Sequence, residues 1–256
     1  MKSRFKILGM KVDKTTCHDL IEKSVERSMS KDLPGSFICV SNVHMCIEAL
    51  DHKDFQKKIN SSLFTIADGK PIHLLLSKHL KKNNEFAPRL RGEDVFRWVL
   101  KNHKTIKDQF KIGFYGGQQD ALDLIKDKIK KDSSINACYF FSPPFRELSD
   151  NELHTIYDEI NKLNLDLLFV GLGCPKQENW MYESSKHISV TQIGVGAVFD
   201  FYSGTKKTCP PFISNIGFEW LFRLCSEPRR LLTRYLYTNS KFLMHIFISV
   251  FKKDKL

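Results

Sequence analysis

Seven short apolar runs alternate with longer stretches of helical periodicity, and that alternation leaves the chain few architectures. The runs are FKILGMKV (5–12), SFICVS (36–41), SLFTIA (62–67), FKIGFYG (110–116), INACYFF (135–141), LDLLFVG (165–171) and VTQIGVG (190–196). They are strand-length and nearly continuous in apolar residues, as strands covered on both faces are. Between them lie a helix opening at Thr15 or Thr16 and the helical stretches HMCIEALDHKDFQKKI, PIHLLLSKHL, EDVFRWVLKNH, QQDALDLIKDKIKK, DNELHTIYDEINKL and PKQENWMYESSKH. The pattern predicts an α/β, Rossmann-like fold: a largely parallel sheet with helices on both faces. Ligands of such sheets sit beyond the carboxyl ends of the strands, so the residues just after each run are the candidates for chemistry.

Past residue 203 the alternation stops. Large apolar and basic residues mix without strand periodicity, which predicts an α/β domain over 1–203 and a helical C-terminal appendage over 204–256, broken near Pro228. The formal charge is +11, and from Gly204 onward ten Lys/Arg face three acids. A basic segment of this kind predicts an anionic partner: nucleic acid, a lipid headgroup surface or a phosphorylated substrate. The run FLMHIFISVF (242–251) is ten residues long, where a spanning helix needs about 20. It reads either as a helix lying on a membrane or as a core-packing helix with a solvated basic face. Seven cysteines with no CxxC pair predict reduced thiols in a cytosolic protein, and no signal-peptide pattern opens the chain.

The strand ends carry the candidates. Ser41 and Asn42 are placed either to hydrogen-bond a ligand or to cap a helix. His44 is either catalytic or a packing histidine. Asp68 and Gly69 follow the third run: a turn pair, or a carboxylate at the active edge able to act as a general base. Arg89 and Arg91 stand before Gly92, either solvated or paired with a diphosphate or carboxylate. Gly116 and Gly117 form a plausible backbone cradle for phosphate before a helix. FSPPF, with Pro143 and Pro144, is a rigid wall or a plain loop. In GLGCPKQENW, Gly171 and Gly173 lack the third glycine of a dinucleotide fingerprint. Pro175 fits the first helical position, which puts Lys176, Gln177 and Glu178 in the first turn. A lysine there opposes the helix dipole, and Gln177 has the donor and acceptor needed to hold a sugar hydroxyl. DxD, HExxH, the P-loop and GxSxG are absent, which disfavours a protein-held metal or a serine nucleophile.

In order along the chain, SNVHMC, ADGKP, RLRGED, FYGG, GLGCPKQENW, GVGAVFDFYSG and GFEWLFRLCSEPRRLLTRYL resemble the signature blocks of the WecG/TagA/CpsF glycosyltransferases. The resemblance implies an inverting, metal-independent transfer from a UDP-sugar to an undecaprenyl-diphosphate-linked sugar, in the making of cell-surface polysaccharide. N-acetylmannosamine, N-acetylmannosaminuronic acid and glucose are among the sugars moved by the family. It implies that Asp68 is the base, that Gln177 lies in the sugar pocket, that Arg89 is the arginine ahead of G-x-D, and that Asn42 is the asparagine of the first block. The hydroxyl-bearing position two before Asn42 is Val40 here, with Ser41 adjacent. Arg223, Arg229, Arg230 and Arg234 match the arginine-rich last block, implied to reach the acceptor's diphosphate and the membrane. No cofactor beyond the donor is implied. The implied location is the inner face of the cytoplasmic membrane, peripherally attached, and a homo-oligomer is allowed. From the residues alone, a basic nucleic-acid-binding module and a Rossmann-type oxidoreductase remain as other readings. The first lacks a recognised binding motif and the second the glycine fingerprint.

Overall fold

The computed structural model describes residues 4–30, 33–82, 84–130 and 135–251. The first apolar run, expected as one strand, is a hairpin of β1 (Arg4–Ile7) and β2 (Met10–Asp13). Leu8 and Gly9 both have positive φ, 49° and 87°, the conformation that a two-residue turn needs to follow strand twist. Six further strands, β3 (Ser36–Ser41), β4 (Phe64–Ala67), β5 (Lys111–Gly116), β6 (Asn136–Phe141), β7 (Leu167–Gly171) and β8 (Thr191–Gly194), form one sheet in the order β4-β3-β8-β7-β5-β6. Every pairing in it is parallel, so every strand delivers its carboxyl end to the same rim.

Alternate residues of each strand feed opposite cores, as the two-residue period of a strand requires. Ile38, Val40, Ile112, Phe114, Leu167, Phe169 and Ile193 face the layer of α1 (Cys17–Met29), α5 (Gly92–Asn102), α6 (Gln119–Lys130) and α9 (Val198–Ser203). Cys39, Tyr115, Leu168 and Val170 face the layer of α2 (Val43–Asp51), α3 (Lys53–Asn60), α4 (Lys70–Lys81), α7 (Asp150–Leu163) and α8 (Lys176–Ser184). The stretch 44–59, expected as one helix, is split at His52. Its extended backbone (φ −118°, ψ 98°) ends α2 and opens α3, and the bend lets Phe55 and Ile59 enter the core.

Gly204, at φ +92°, closes α9, and the appendage follows as α10 (Pro211–Ile216), α11 (Glu219–Ser226) and α12 (Pro228–Phe251). The helix break falls at Glu227–Pro228. Helix α12 lies along α2. Tyr237 donates its hydroxyl to Asp51 Oδ2 (2.8 Å), Lys241 pairs with the other carboxylate oxygen, and Phe242 joins the core cluster of that layer. The far side of α12 shows Leu232, Leu236, Leu243 and Phe247 to solvent, a stripe at helical spacing. Among the described residues no helix is long and apolar enough to cross a membrane.

Candidate active site

The carboxyl ends of β3 and β4 lie side by side, and the backbone hooks them together: the amides of Asp68 and Gly69 both donate to the Ser41 carbonyl, at 3.0 and 3.1 Å. Asp68 is thereby held just past β4, half-buried, with Oδ1 accepting from the Gly92 amide at 3.1 Å. Arg89 donates from Nε to the Asp68 carbonyl (2.6 Å) and from Nη1 to the Ser214 carbonyl (3.0 Å). The appendage closes the other side. Glu219 of α11 takes Arg223 Nη2 on one carboxylate oxygen (2.7 Å), and Ser214 Oγ (3.0 Å) with Arg89 Nη2 (3.5 Å) on the other. Burial, and then the nearby Glu219 carboxylate, push Asp68 up to about 6, against the opposing pull of Arg223 and Arg89. A carboxyl titrating there is largely ionised at neutral pH yet is a far better proton acceptor than an ordinary aspartate.

Beside this cluster, Arg91 is the N-cap of α5 and grips Asp94 with Nε (2.8 Å) and Nη2 (2.5 Å) while Nη1 reaches Ser214 Oγ (3.1 Å). A crevice next to it is lined by Arg91, Lys207, Cys209, Glu219, Phe222 and Arg223. Guanidiniums from the α/β domain and from the appendage thus converge on one rim, the arrangement that stabilises charge on a phosphate leaving group.

Across the rim, close packing governs the glycines. A Cβ on Gly171 would stand 2.6 Å from the Phe199 ring, and one on Gly117 3.1 Å from it; one on Gly116 would meet the Gly171 carbonyl at 2.8 Å. Gly117 donates to that same carbonyl at 2.9 Å. Gly173, at φ +79°, has open space beside it. Cys174–Pro175 is a cis peptide, and Pro175 is the N-cap of α8 instead of its first residue. The first turn therefore runs from Lys176, which is exposed, through Gln177 and Glu178, which are buried. The amide of Gln177 is engaged at both ends: Oε1 accepts from Gly196 N (3.1 Å) and Nε2 donates to Glu178 Oε1 (2.6 Å). Glu178 Oε2 has no partner among the described residues, and burial pushes this carboxyl up to about 7.

A sequence model described as the glycosyl transferase WecG/TagA/CpsF family matches residues 5–256. The chain belongs to that family. Relatives bear it out: the chain is 28% identical over 198 residues, 77% of its length and 73% of theirs, to a Bacillus subtilis (strain 168) protein. It is 25% identical over 230 residues, 88% of its length and 85% of theirs, to one from Staphylococcus aureus (strain MW2). Both relatives are named N-acetylglucosaminyldiphosphoundecaprenol N-acetyl-beta-D-mannosaminyltransferase. The protein is a glycosyltransferase.

In this glycosyltransferase the remaining candidates divide by position. Ser41 is fully buried, its hydroxyl donating to the Ile66 carbonyl at 2.7 Å, so it braces β3 against β4 and does not face the rim. Asn42 caps α2 by accepting from Met45 N at 3.1 Å. His44 is half-buried, hydrogen-bonds the Cys174 backbone, and is held below its ordinary range by burial and by Arg234. That hydrogen bond ties α2 to the loop before α8. Arg229 and Arg230 are exposed at the start of α12, Arg230 paired with Glu227 (2.5 Å). Ser142 ties the FSPPF loop to the Gly117 carbonyl (2.7 Å). Reasoning from sequence missed Glu219 and Ser214. Glu219 sat inside the EWLFRL block, but nothing local tied it to Asp68, 151 residues earlier.

Proposed function

We propose that this glycosyltransferase moves a sugar from a UDP-sugar to an undecaprenyl-diphosphate-linked sugar by a single inverting displacement. The observation that carries the reading is Asp68: a half-buried carboxylate at the carboxyl end of β4, with the guanidiniums of Arg89 and Arg223 beside it. In this reading the acceptor hydroxyl gives its proton to Asp68 as its oxygen bonds to the anomeric carbon. The bond from that carbon to the UDP oxygen breaks, and the electron pair leaves with UDP. The arginines and the amides at the helix starts meet the charge on the departing diphosphate, so no protein-held metal is assigned to the step. Among the described residues the cluster with metal-ligand spacing is His18, Asp19 and Glu22, on the exposed face of α1. The names of the relatives favour N-acetylmannosamine as the donor sugar and an N-acetylglucosamine-diphosphate lipid as the acceptor.

The appendage supports a second part of the proposal, peripheral attachment to the inner face of the cell membrane. The exposed stripe on α12, with Phe212 and Ile216 of α10 and the cations Arg229 and Arg230, combines apolar area with positive charge. Helices that lie in an anionic interface have that composition. The test incubates the full chain with N-acetylglucosamine- or glucose-diphosphate lipid analogues and a panel of UDP-sugars, and follows UDP release. UDP release that requires both one donor and the lipid acceptor is expected. Failure of every donor to release UDP with either acceptor would overturn the proposal.

A further inference from the structure

Glu178 has no part in the transfer described so far, and its burial costs the fold stability. The side chain is fully buried, Oε2 lacks a partner among the described residues, and its near neighbours include the Cys174 thiol and the Glu178 backbone amide. Neither is a cation, and a buried carboxylate without one weakens a fold. The other oxygen, Oε1, accepts from Gln177 Nε2 at 2.6 Å. Gln177 in turn lies across the carboxyl end of β8. A Cβ on Gly194 would stand 2.9 Å from Nε2, so the glycine there leaves room for the amide. The Gly196 backbone N–H donates to Gln177 Oε1 at 3.1 Å. An N–H can only donate, so this bond settles which end of the side-chain amide is the oxygen. The Gln177 backbone amide donates to the Gly173 carbonyl at 2.8 Å, so Gly173 and Gly196 flank the residue. Both border open space: among the described residues, a Cβ on Gly173 would meet nothing within 4 Å, and one on Gly196 only Gln177 Oε1, at 3.9 Å.

We infer that Glu178 is a positioning residue: it holds Gln177 Nε2 while the Gly196 amide holds Oε1, and so fixes the direction of the Gln177 amide before a sugar arrives. This rests on the sugar-transfer reading above, with Gln177 as the group that meets the sugar. Each end of the amide keeps one bond to give, the second N–H of Nε2 and the second lone pair of Oε1. Held at both ends, the two cannot exchange places. A donor and an acceptor in fixed positions read how a sugar presents its hydroxyl and acylamino groups, because an epimer leaves one of them unpaired. An amide free to flip would accept either presentation. Oε1 of Glu178 can accept whether or not a proton sits on Oε2, so the hold does not depend on the charge of Glu178. The buried carboxyl is thus a loss to stability that serves the selection of the sugar.

The test uses full-length protein and two readouts. In nitrogen–proton NMR spectra, Gln177→Ala identifies the side-chain amide protons of Gln177. The proton given to Glu178 is expected to exchange slowly with water in the wild type. Glu178→Met keeps the length of the side chain and removes the acceptor, and is expected to speed that exchange about tenfold or more. In the transfer assay, Glu178→Met is expected to lose about 10–100-fold in kcat/KM with the preferred UDP-sugar. It loses less with donors that differ by one epimeric hydroxyl, so the preference narrows, while the melting temperature stays equal or rises. Glu178→Met added to Gln177→Ala is expected to cost no further activity, since the two residues act as one device. Glu178→Gln gives Nε2 an acceptor again and is expected to recover transfer to within a few-fold. Unchanged exchange, or an unchanged preference among donors, in a folded Glu178→Met protein would overturn the inference. If that variant does not fold, Glu178→Gln decides, and a folded Glu178→Gln protein as impaired as Gln177→Ala overturns it. If the wild type transfers no sugar, the proposed function fails while the exchange rates still decide the inference.

Discussion

Two acids at the rim carry the same message about protons. Asp68 titrates near 6 in the fold and near 3.9 in an unfolded chain, so the folded state binds more protons between those values. Its contribution therefore falls as pH rises through that window, and at neutral pH the ionised carboxylate costs stability. Asp68→Asn removes that cost while its side-chain oxygen can still accept from Gly92. Turnover is expected to fall about 10²–10⁴-fold with an equal or higher melting temperature at neutral pH, read from steady-state UDP release and a melting curve. Glu178 is the purer case, being fully buried with one oxygen unpartnered and a midpoint raised to about 7. Stability from this group falls as pH rises from about 4.3, its unfolded value, through 7. Glu178→Gln is expected to flatten that decline, gaining of order 2 kcal/mol near pH 8 relative to pH 5 in denaturant titrations. A wild type and variant with parallel pH–stability curves would show that Glu178 ionises freely.

At the scale of elements, the rim is built by backbone approach. The turn after β7 runs so close to α9 that Gly171→Ala would press a methyl group into the Phe199 ring. A loss of about 1–3 kcal/mol is expected, visible as a lower melting temperature. Gly116 and Gly117, read from sequence as a phosphate cradle, have a packing reason that they share with Gly171: the three let β5, β7 and α9 touch. Strands β3 to β8 and helices α1 and α4 to α8 were legible because period and caps agree; Thr16 and Ser149 cap α1 and α7 as their sequence positions suggest. The hairpin at Leu8–Gly9 was hidden because an apolar residue occupies its first turn position. The break at His52 was hidden because it lacks proline or glycine. Of the site, the position of Asp68 just past a strand and those of Arg89 and Arg91 just ahead of a helix were readable from local pattern. The inward turn of Ser41, the double engagement of Gln177 and the reach of Glu219 were not, since each depends on what packs beside it from a distant part of the chain.

For the whole molecule, α12 has two faces with separate consequences. Phe242 is buried against the layer of α2, and Phe247, five residues further on, is 64% exposed. Phe242→Ala is expected to destabilise the fold by about 3–5 kcal/mol. The pair Leu236→Glu and Phe247→Glu is expected to leave the melting temperature unchanged while weakening binding to anionic vesicles by about two orders of magnitude, the sum of two apolar side chains withdrawn from lipid. Vesicle flotation alongside thermal melting reads both, and undiminished flotation of the double variant would detach the stripe from membrane binding. The strand order has a further consequence, for the moment at which the protein comes into being. At the middle of the sheet β3 pairs with β8, and Ser36 hydrogen-bonds Thr191 at 2.9 Å. A growing chain leaving the ribosome must hold β3 with one edge open until some 150 residues more have been made, which slow long-range pairing makes a hazardous interval. Asp68, among the first site residues to be synthesised, waits through an equal length of chain for Arg223.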